Sequence, residues 1–334
     1  TYVPLTKAKR AKLLAGVVQG EAGKMSDYAL LRLGYAASTQ GKNEEAVEHY
    51  TELLKKFPNS KHAPTAALSL GQCLFKSGLY DQALEKFSQV LPAKDAQAAE
   101  AAHWMAITLQ RQNKSPEALK IAQEALGWGI ESPNTVNLLM DYADALYANP
   151  QELDKAREAY EKIVTEHPDD ALAPRAAYNA AFAALQGGKL PEAQQWAELY
   201  LSRYPQDPLR NDVTAIAAEV LLQQGEHAAA ATAYEKLRQA DPQNPAFDRW
   251  TLRLGTAHYL AGNYADAVKL LTSEAARFKS SDQQAEAGFV LGASYLYQEN
   301  MAAAIEHLTA SHQANATWSS ADEVLLMLAE AHQR

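Results

Sequence analysis

The chain has 334 residues, 47% of them hydrophobic, and carries 40 Asp and Glu against 31 Lys and Arg for a formal charge of −9. That acidic balance excludes a basic nucleic-acid-binding surface, and no apolar run approaches the ~18 residues of a membrane span. Alanine dominates the apolar fraction while Val, Ile and Thr are sparse, so strands are excluded as the main element, and the single Cys73 excludes an internal disulfide or a multi-thiolate metal site.

In chain order, residues 1–26 come first and contain "AKRAKLLAGVVQG", a basic amphipathic stretch. Its pattern predicts the closing helix of a preceding, truncated repeat. Thr1 in first place and a helical pattern running to the last residue are expected of a piece of a longer protein, from which a signal peptide has been removed or not. The stretch "GVVQGEAGKMS" imitates a phosphate-binding loop, but Val18 stands where the first glycine belongs and Met25 where a Ser or Thr would hold magnesium.

From residue 27 the chain repeats itself. A helical pattern carries "RLGYAAS" at Gly34, and the same slot returns at Gly71, Ala106, Ala143, Ala181, Ala218, Gly255, Gly292 and Ala329, at intervals of 35–38 residues and mostly 37. A second helical pattern follows each slot. It opens with an alanine (Ala46, Ala83, Ala118, Ala156, Ala193, Ala230, Ala267, Ala304) and, four residues on, holds Tyr50, Phe87, Ala122, Tyr160, Ala197, Tyr234, Leu271 or Leu308. Glycine marks the turn between the two at Gly41, Gly78, Gly188, Gly225 and Gly262, and Pro58, Pro168, Pro205 and Pro242 close several repeats. Glycine inside a helix costs roughly 1 kcal/mol relative to alanine. The expected compensation is close helix packing: Gly71 lets the second helix approach at Ala83, with Phe87 filling the space beside it.

This register of Leu-Gly/Ala, Ala, Tyr/Phe and Pro resembles the tetratricopeptide repeat. The resemblance covers residues 27–334, as eight full repeats and a final first helix, and implies an all-α fold: a right-handed α-solenoid, or superhelix, of stacked antiparallel helix pairs. The longer links, such as "FPNSKHAP" and "HPDDALAP", are similar to those of bacterial cell-envelope members of the family. A repeat of this kind cannot bury its own apolar face and is stabilised by its neighbours.

No catalytic constellation stands out, so the chain reads as a non-enzyme without cofactor or metal. None of the nine histidines forms a His-Glu-x-x-His pair. The acidic residues at the start of each second helix (Glu44, Glu45, Asp81, Glu117, Asp154, Glu192, Glu226, Asp266) suit the positive end of the helix dipole.

The resemblance further implies that the first helices line a concave groove that takes a peptide or a partner helix. Groove positions here hold Tyr28, Arg32, Tyr35, Phe75, His103, Arg111, Arg175, Tyr178, Phe182, Arg249, Arg253 and Tyr259. Aromatic and arginine side chains are enriched at binding hot spots, and this set predicts a locally basic, aromatic groove on a net-negative chain. The same positions also pack successive first helices together, and for Trp104 and Phe289 packing is the expected role. The lysine-and-asparagine clamp that chaperone-binding members use for a terminal carboxylate is absent, with Asn179 a solitary match. The expected function is a protein–protein interaction scaffold in a bacterial envelope complex, periplasmic in location with the cytoplasm as the alternative. A second expectation is the recognition arm of a glycan-handling or polysaccharide-export machine, its partner an acidic polysaccharide. Neither involves nucleic acid.

Overall fold

The computed structural model describes residues 26–334; the expected helix before them lies outside the described residues. Regular structure among the described residues is helical. The helices are α1 (Ser26–Thr39), α2 (Asn43–Lys56), α3 (Ala63–Lys76), α4 (Tyr80–Ser88), α5 (Ala96–Arg111), α6 (Ser115–Leu126), α7 (Thr135–Tyr147) and α8 (Leu153–Glu166). They continue as α9 (Ala173–Gln186), α10 (Leu190–Arg203), α11 (Arg210–Gln223), α12 (His227–Ala240), α13 (Phe247–Leu260), α14 (Tyr264–Glu274), α15 (Ser281–Tyr297), α16 (Met301–Ala314) and α17 (Ala321–Gln333). Odd numbers are the first helices of antiparallel pairs and even numbers the second. Contacts gather into two compact units, Thr1–Ala176 and Ala177–Arg334, the boundary falling after the first turn of α9.

The slot glycines sit where the second helix seats its largest side chain. A Cβ built on Gly34 would lie 2.6 Å from Tyr50 Cε1, and one on Gly71 would lie 2.7 Å from Phe87 Cδ1. In the second unit, Gly255 faces Leu271 at 2.8 Å and Gly292 faces Leu308 at 2.6 Å. Real Cβ contacts essentially never fall that short, so the pairing needs glycine. This corrects one detail of the expectation: the group that occupies the place of the missing Cβ at Gly71 is the Phe87 ring, not Ala83. Tyr50, Phe87, Leu271 and Leu308 are all fully buried. Each seals a pair that is amphipathic on its own and stable only in the stack.

Turn chemistry follows the same economy. Gly41, Gly78, Gly188, Gly225 and Gly262 all have φ between +70° and +85°, the left-handed region in which glycine meets no Cβ penalty. Of the three repeats that lack that glycine, two place Asn113 (φ 58°) and Glu299 (φ 60°) there.

The long links have a physical account. Two residues after each closing proline stands a short polar side chain that accepts a hydrogen bond from the backbone N–H two positions on. Ser60 takes His62 N–H at 3.0 Å, Asp170 takes Leu172 at 2.8 Å, Asp207 takes Leu209 at 2.9 Å and Asn244 takes Ala246 at 2.9 Å. Each is an Asx- or Ser-type turn that satisfies a backbone donor before the next helix can. Where the proline is missing, Ser132 and Asn315 make the same bond to Asn134 and Thr317.

Candidate binding face

The cavities of both units open on first helices. In the first unit, α5 contributes His103, Gln110 and Arg111, α7 contributes Asn137, Asp141 and Asp144, and the first turn of α9 contributes Arg175, around a cavity of about 360 Å³. In the second unit a furrow of about 530 Å³ runs past Leu185 and Gln186 of α9, Glu219 and Gln223 of α11, Arg249 and Arg253 of α13, and Glu286 of α15. Deeper in lies an apolar notch of about 70 Å³ among Tyr178, Phe182, Ala215, Ile216 and Trp250.

Charge in these cavities is organised by a motif that occurs once in each unit. Where the slot is alanine and the second helix carries tyrosine, the next residue after the slot is acidic. Tyr160 Oη donates to Asp144 Oδ1 at 2.6 Å, and Arg175 donates to Asp144 Oδ2 at 3.2 Å. Likewise, Tyr234 Oη donates to Glu219 Oε2 at 2.9 Å, and Arg253 grips the same carboxylate through Nε at 2.8 Å and Nη2 at 2.5 Å. Arg253 Nη1 also lies 3.6 Å from Glu286 Oε1. Burial works against charge on Arg253, but Glu219 more than offsets it and the guanidinium is held above its ordinary range. Burial raises Glu286, with Arg253 opposing. The face is therefore of mixed charge. This corrects the expectation of a locally basic groove, because two of its arginines are already neutralised by carboxylates reached from a neighbouring repeat.

The other predicted groove residues divide by environment. Arg249 is exposed and makes no ion pair within 4 Å among the described residues, although it lines both the furrow and the notch. Tyr178 and Phe182 stack one turn apart, centroids 6.1 Å at 8°. His103 is half-buried, its Nδ1 2.6 Å from Asp141 Oδ2. Burial pushes Asp141 up to about 6, with the His103 hydrogen bond opposing. Phe75 packs edge-on to Trp104 at 5.4 Å, and Trp104 stacks over Phe87 at 6.4 Å, so both serve the repeat core.

Tyr259 belongs to a ledge with Tyr264, Phe289 and Tyr297, all within 6.3 Å of it, and Phe289 continues to Trp318 at 5.8 Å. At the start of the first unit Tyr28 meets His62 at 5.4 Å, and the Arg32 guanidinium lies 5.5 Å over the ring of Tyr35, which is 55% exposed. The residues that sequence reasoning missed are the carboxylates Asp141, Asp144, Glu219 and Glu286. An acid directly after a slot alanine, with tyrosine on the second helix, was the available signal for Asp144 and Glu219. Nothing local marks Asp141 or Glu286.

Stacked helix pairs with cavities on one helix face define a helical-repeat scaffold. A family model described as Tetratricopeptide repeat matches residues 31–99, 105–171, 207–245 and 217–282, and a second one of the same description matches 174–198. The chain belongs to the tetratricopeptide repeat family, whose members are typically non-catalytic protein–protein interaction scaffolds.

A search of curated proteins found no match. Among solved structures, the chain is similar to a signal-transduction ATPase with a tetratricopeptide repeat sensor from Pyrococcus horikoshii, at TM-score 0.62 and 13% identity, covering 97% of this chain and 54% of that one. It is also similar to PilW, a type IV pilus biogenesis factor, at TM-score 0.52 and 17% identity over 67% of this chain and 97% of that one. A tetratricopeptide repeat protein from Parabacteroides merdae aligns at TM-score 0.46 and 16% identity, covering 91% and 99%. These likenesses concern the fold. Among the described residues no helix is long and apolar enough to cross a membrane, and no group of His, Cys, Asp or Glu is arranged to hold a metal ion.

Proposed function

We propose that the chain holds a peptide or helix of a partner protein along the first-helix face of its second unit, within a bacterial envelope complex. One observation carries this reading: Arg249, a cation without an ion-pair partner among the described residues, stands beside an apolar notch and the stacked Tyr178 and Phe182. A hot spot has that composition, with a desolvated aromatic floor and an unspent donor at its edge. Beside Arg249, Arg253 is already paired with Glu219 and lies 3.6 Å from Glu286. The envelope setting rests on the long proline links alone.

Arg249→Glu is the informative variant, because the side chain is exposed and its loss leaves the fold intact. Partner affinity is expected to fall by about 2 kcal/mol or more, in the range of a hot-spot residue, with the thermal midpoint unchanged. Unaltered affinity in a titration with the captured partner would remove the reading. The acidic-polysaccharide alternative draws its support from the Tyr259–Tyr297–Trp318 ledge, and saturable calorimetric binding of an acidic oligosaccharide would favour it.

A further inference from the structure

The cavity of the first unit has a composition of its own. Its carboxylates are already engaged: both oxygens of Asp144 accept, from Tyr160 and Arg175, and Asp141 takes His103 on Oδ2 while its backbone oxygen accepts from Gln110 at 3.2 Å. The groups left to meet a ligand are donors. Arg111 is exposed and has no ion pair among the described residues, Arg175 is 54% exposed with one Nη committed to Asp144, and His103 has only Nε2 left once Nδ1 is bonded. All three line the same cavity of about 360 Å³, roomy enough for a side chain and its water.

We infer that this cavity recognises a carboxylate side chain of the bound partner segment, held by Arg111, Arg175 and His103 Nε2 and gripped more tightly when the His103–Asp141 pair takes up a proton. The inference rests on the reading that first helices bind a peptide. It adds the partner's chemistry and a dependence on pH.

The sign does not depend on which member of the pair is protonated. The two groups share a hydrogen bond, and each proton taken up by either makes the pair one charge less negative, which favours an anion. When the proton sits on the imidazole, Nε2 becomes a donor as well, and a buried carboxylate on the far side steadies the imidazolium. The charged groups around the pair are Glu100 and Arg111 on α5, Asp144 on α7 and Arg175 on α9. On the opposite side α3 meets α5 through uncharged Gln72, bonded to Glu100 at 2.9 Å, and through Phe75 against Trp104. Burial also raises Asp144, so protonation there at low pH would shift the balance in the same direction.

The test uses the full chain and a fluorescent tetraglutamate peptide with blocked ends, titrated at pH of about 5.5 and about 7.5, where the probe stays anionic. Wild type is expected to bind up to about tenfold more tightly at the lower pH, the factor that follows if the bound carboxylate raises the pair's proton affinity by about one pKa unit. The double variant His103→Gln/Asp141→Asn leaves neither member able to take up a proton and should bring the ratio close to one. Arg111→Gln should weaken binding about tenfold at both values, as loss of a charge-assisted bond does. Arg249→Glu, in the other unit, should leave this binding unchanged, so failure here and failure of the peptide-groove reading are distinguishable.

Tighter binding of a tetralysine peptide, or a pH ratio that persists undiminished in His103→Gln/Asp141→Asn with its helical circular dichroism intact, would overturn the inference. Equal competition by inorganic phosphate would overturn the assignment to a peptide side chain and leave a free-anion site.

Discussion

Alanine at position 71 is expected to destabilise the protein by up to about 2 kcal/mol, although alanine is the better helix former. Two effects of opposite sign meet there. Helix propensity gains about 1 kcal/mol from the change, but the new Cβ would fall 2.7 Å from Phe87 Cδ1 and 2.9 Å from Cζ in a fully buried ring. Overpacking of that kind costs about 1–3 kcal/mol, and the ring has no exposed space to enter. The sign should reverse once the ring is gone. In a Phe87→Ala background, itself about 3–5 kcal/mol less stable, Gly71→Ala should stabilise by about 1 kcal/mol. The chain already uses that combination in its third and fifth repeats, where Ala106 is matched with Ala122 and Ala181 with Ala197, all four fully buried. Urea unfolding of the four proteins measures the cycle. The same sign in both backgrounds would mean that the slot glycine is not there to seat the ring.

Arg253→Ala should be the costliest single change on the first-helix face. It removes two short hydrogen bonds to Glu219 and leaves Glu219 and Glu286 facing each other without a cation, each less than a quarter exposed. Breaking a buried pair from one side costs about 3–5 kcal/mol. The loss should depend on pH in a definite direction. Burial already holds Glu286 above the usual carboxylate range against the pull of Arg253, and without the arginine it rises further. A carboxyl whose folded value lies above its unfolded value contributes stability below the unfolded value and loses it as pH rises through the folded one. The gap between variant and wild type should therefore be small near pH 4 to 5 and widest at neutrality. An unfolding midpoint difference that stays constant across that range would show that the carboxylates do not depend on Arg253. Arg249→Ala, four residues and one turn from Arg253 but without an ion pair within 4 Å among the described residues, should change stability by less than about 0.5 kcal/mol.

What could be read in the sequence was whatever repeats. The small-residue slot, the second-helix alanine, the left-handed turn glycine and the link proline recur because every helix pair solves one packing problem, and a periodic cause leaves a periodic trace. The alternation of first and second helices followed from it. The candidate face was legible only as positions. His103 and Asp141 stand 38 residues apart on α5 and α7, at neighbouring register positions of successive repeats. Arg253 reaches back 34 residues to Glu219 and forward to Glu286. Such pairs are specified by the stacking of one repeat on the next, not by the pattern within a repeat. An arginine on the predicted groove therefore looks the same in sequence whether it is committed, like Arg253, or unspent, like Arg249. Division of the contacts into two units after Ala176 has no mark either, since α9 continues the period across it.

Photo-crosslinking in the native cell is the most direct test of whether this chain works by holding a partner along its first helices. A photoreactive amino acid at position 182 or 249 lies on that face, and one at Lys236, exposed on the second helix α12, lies off it. Adducts of one defined partner from 182 and 249, with none from 236, are the predicted result. Adducts that form from 236 and not from either first-helix position would contradict it.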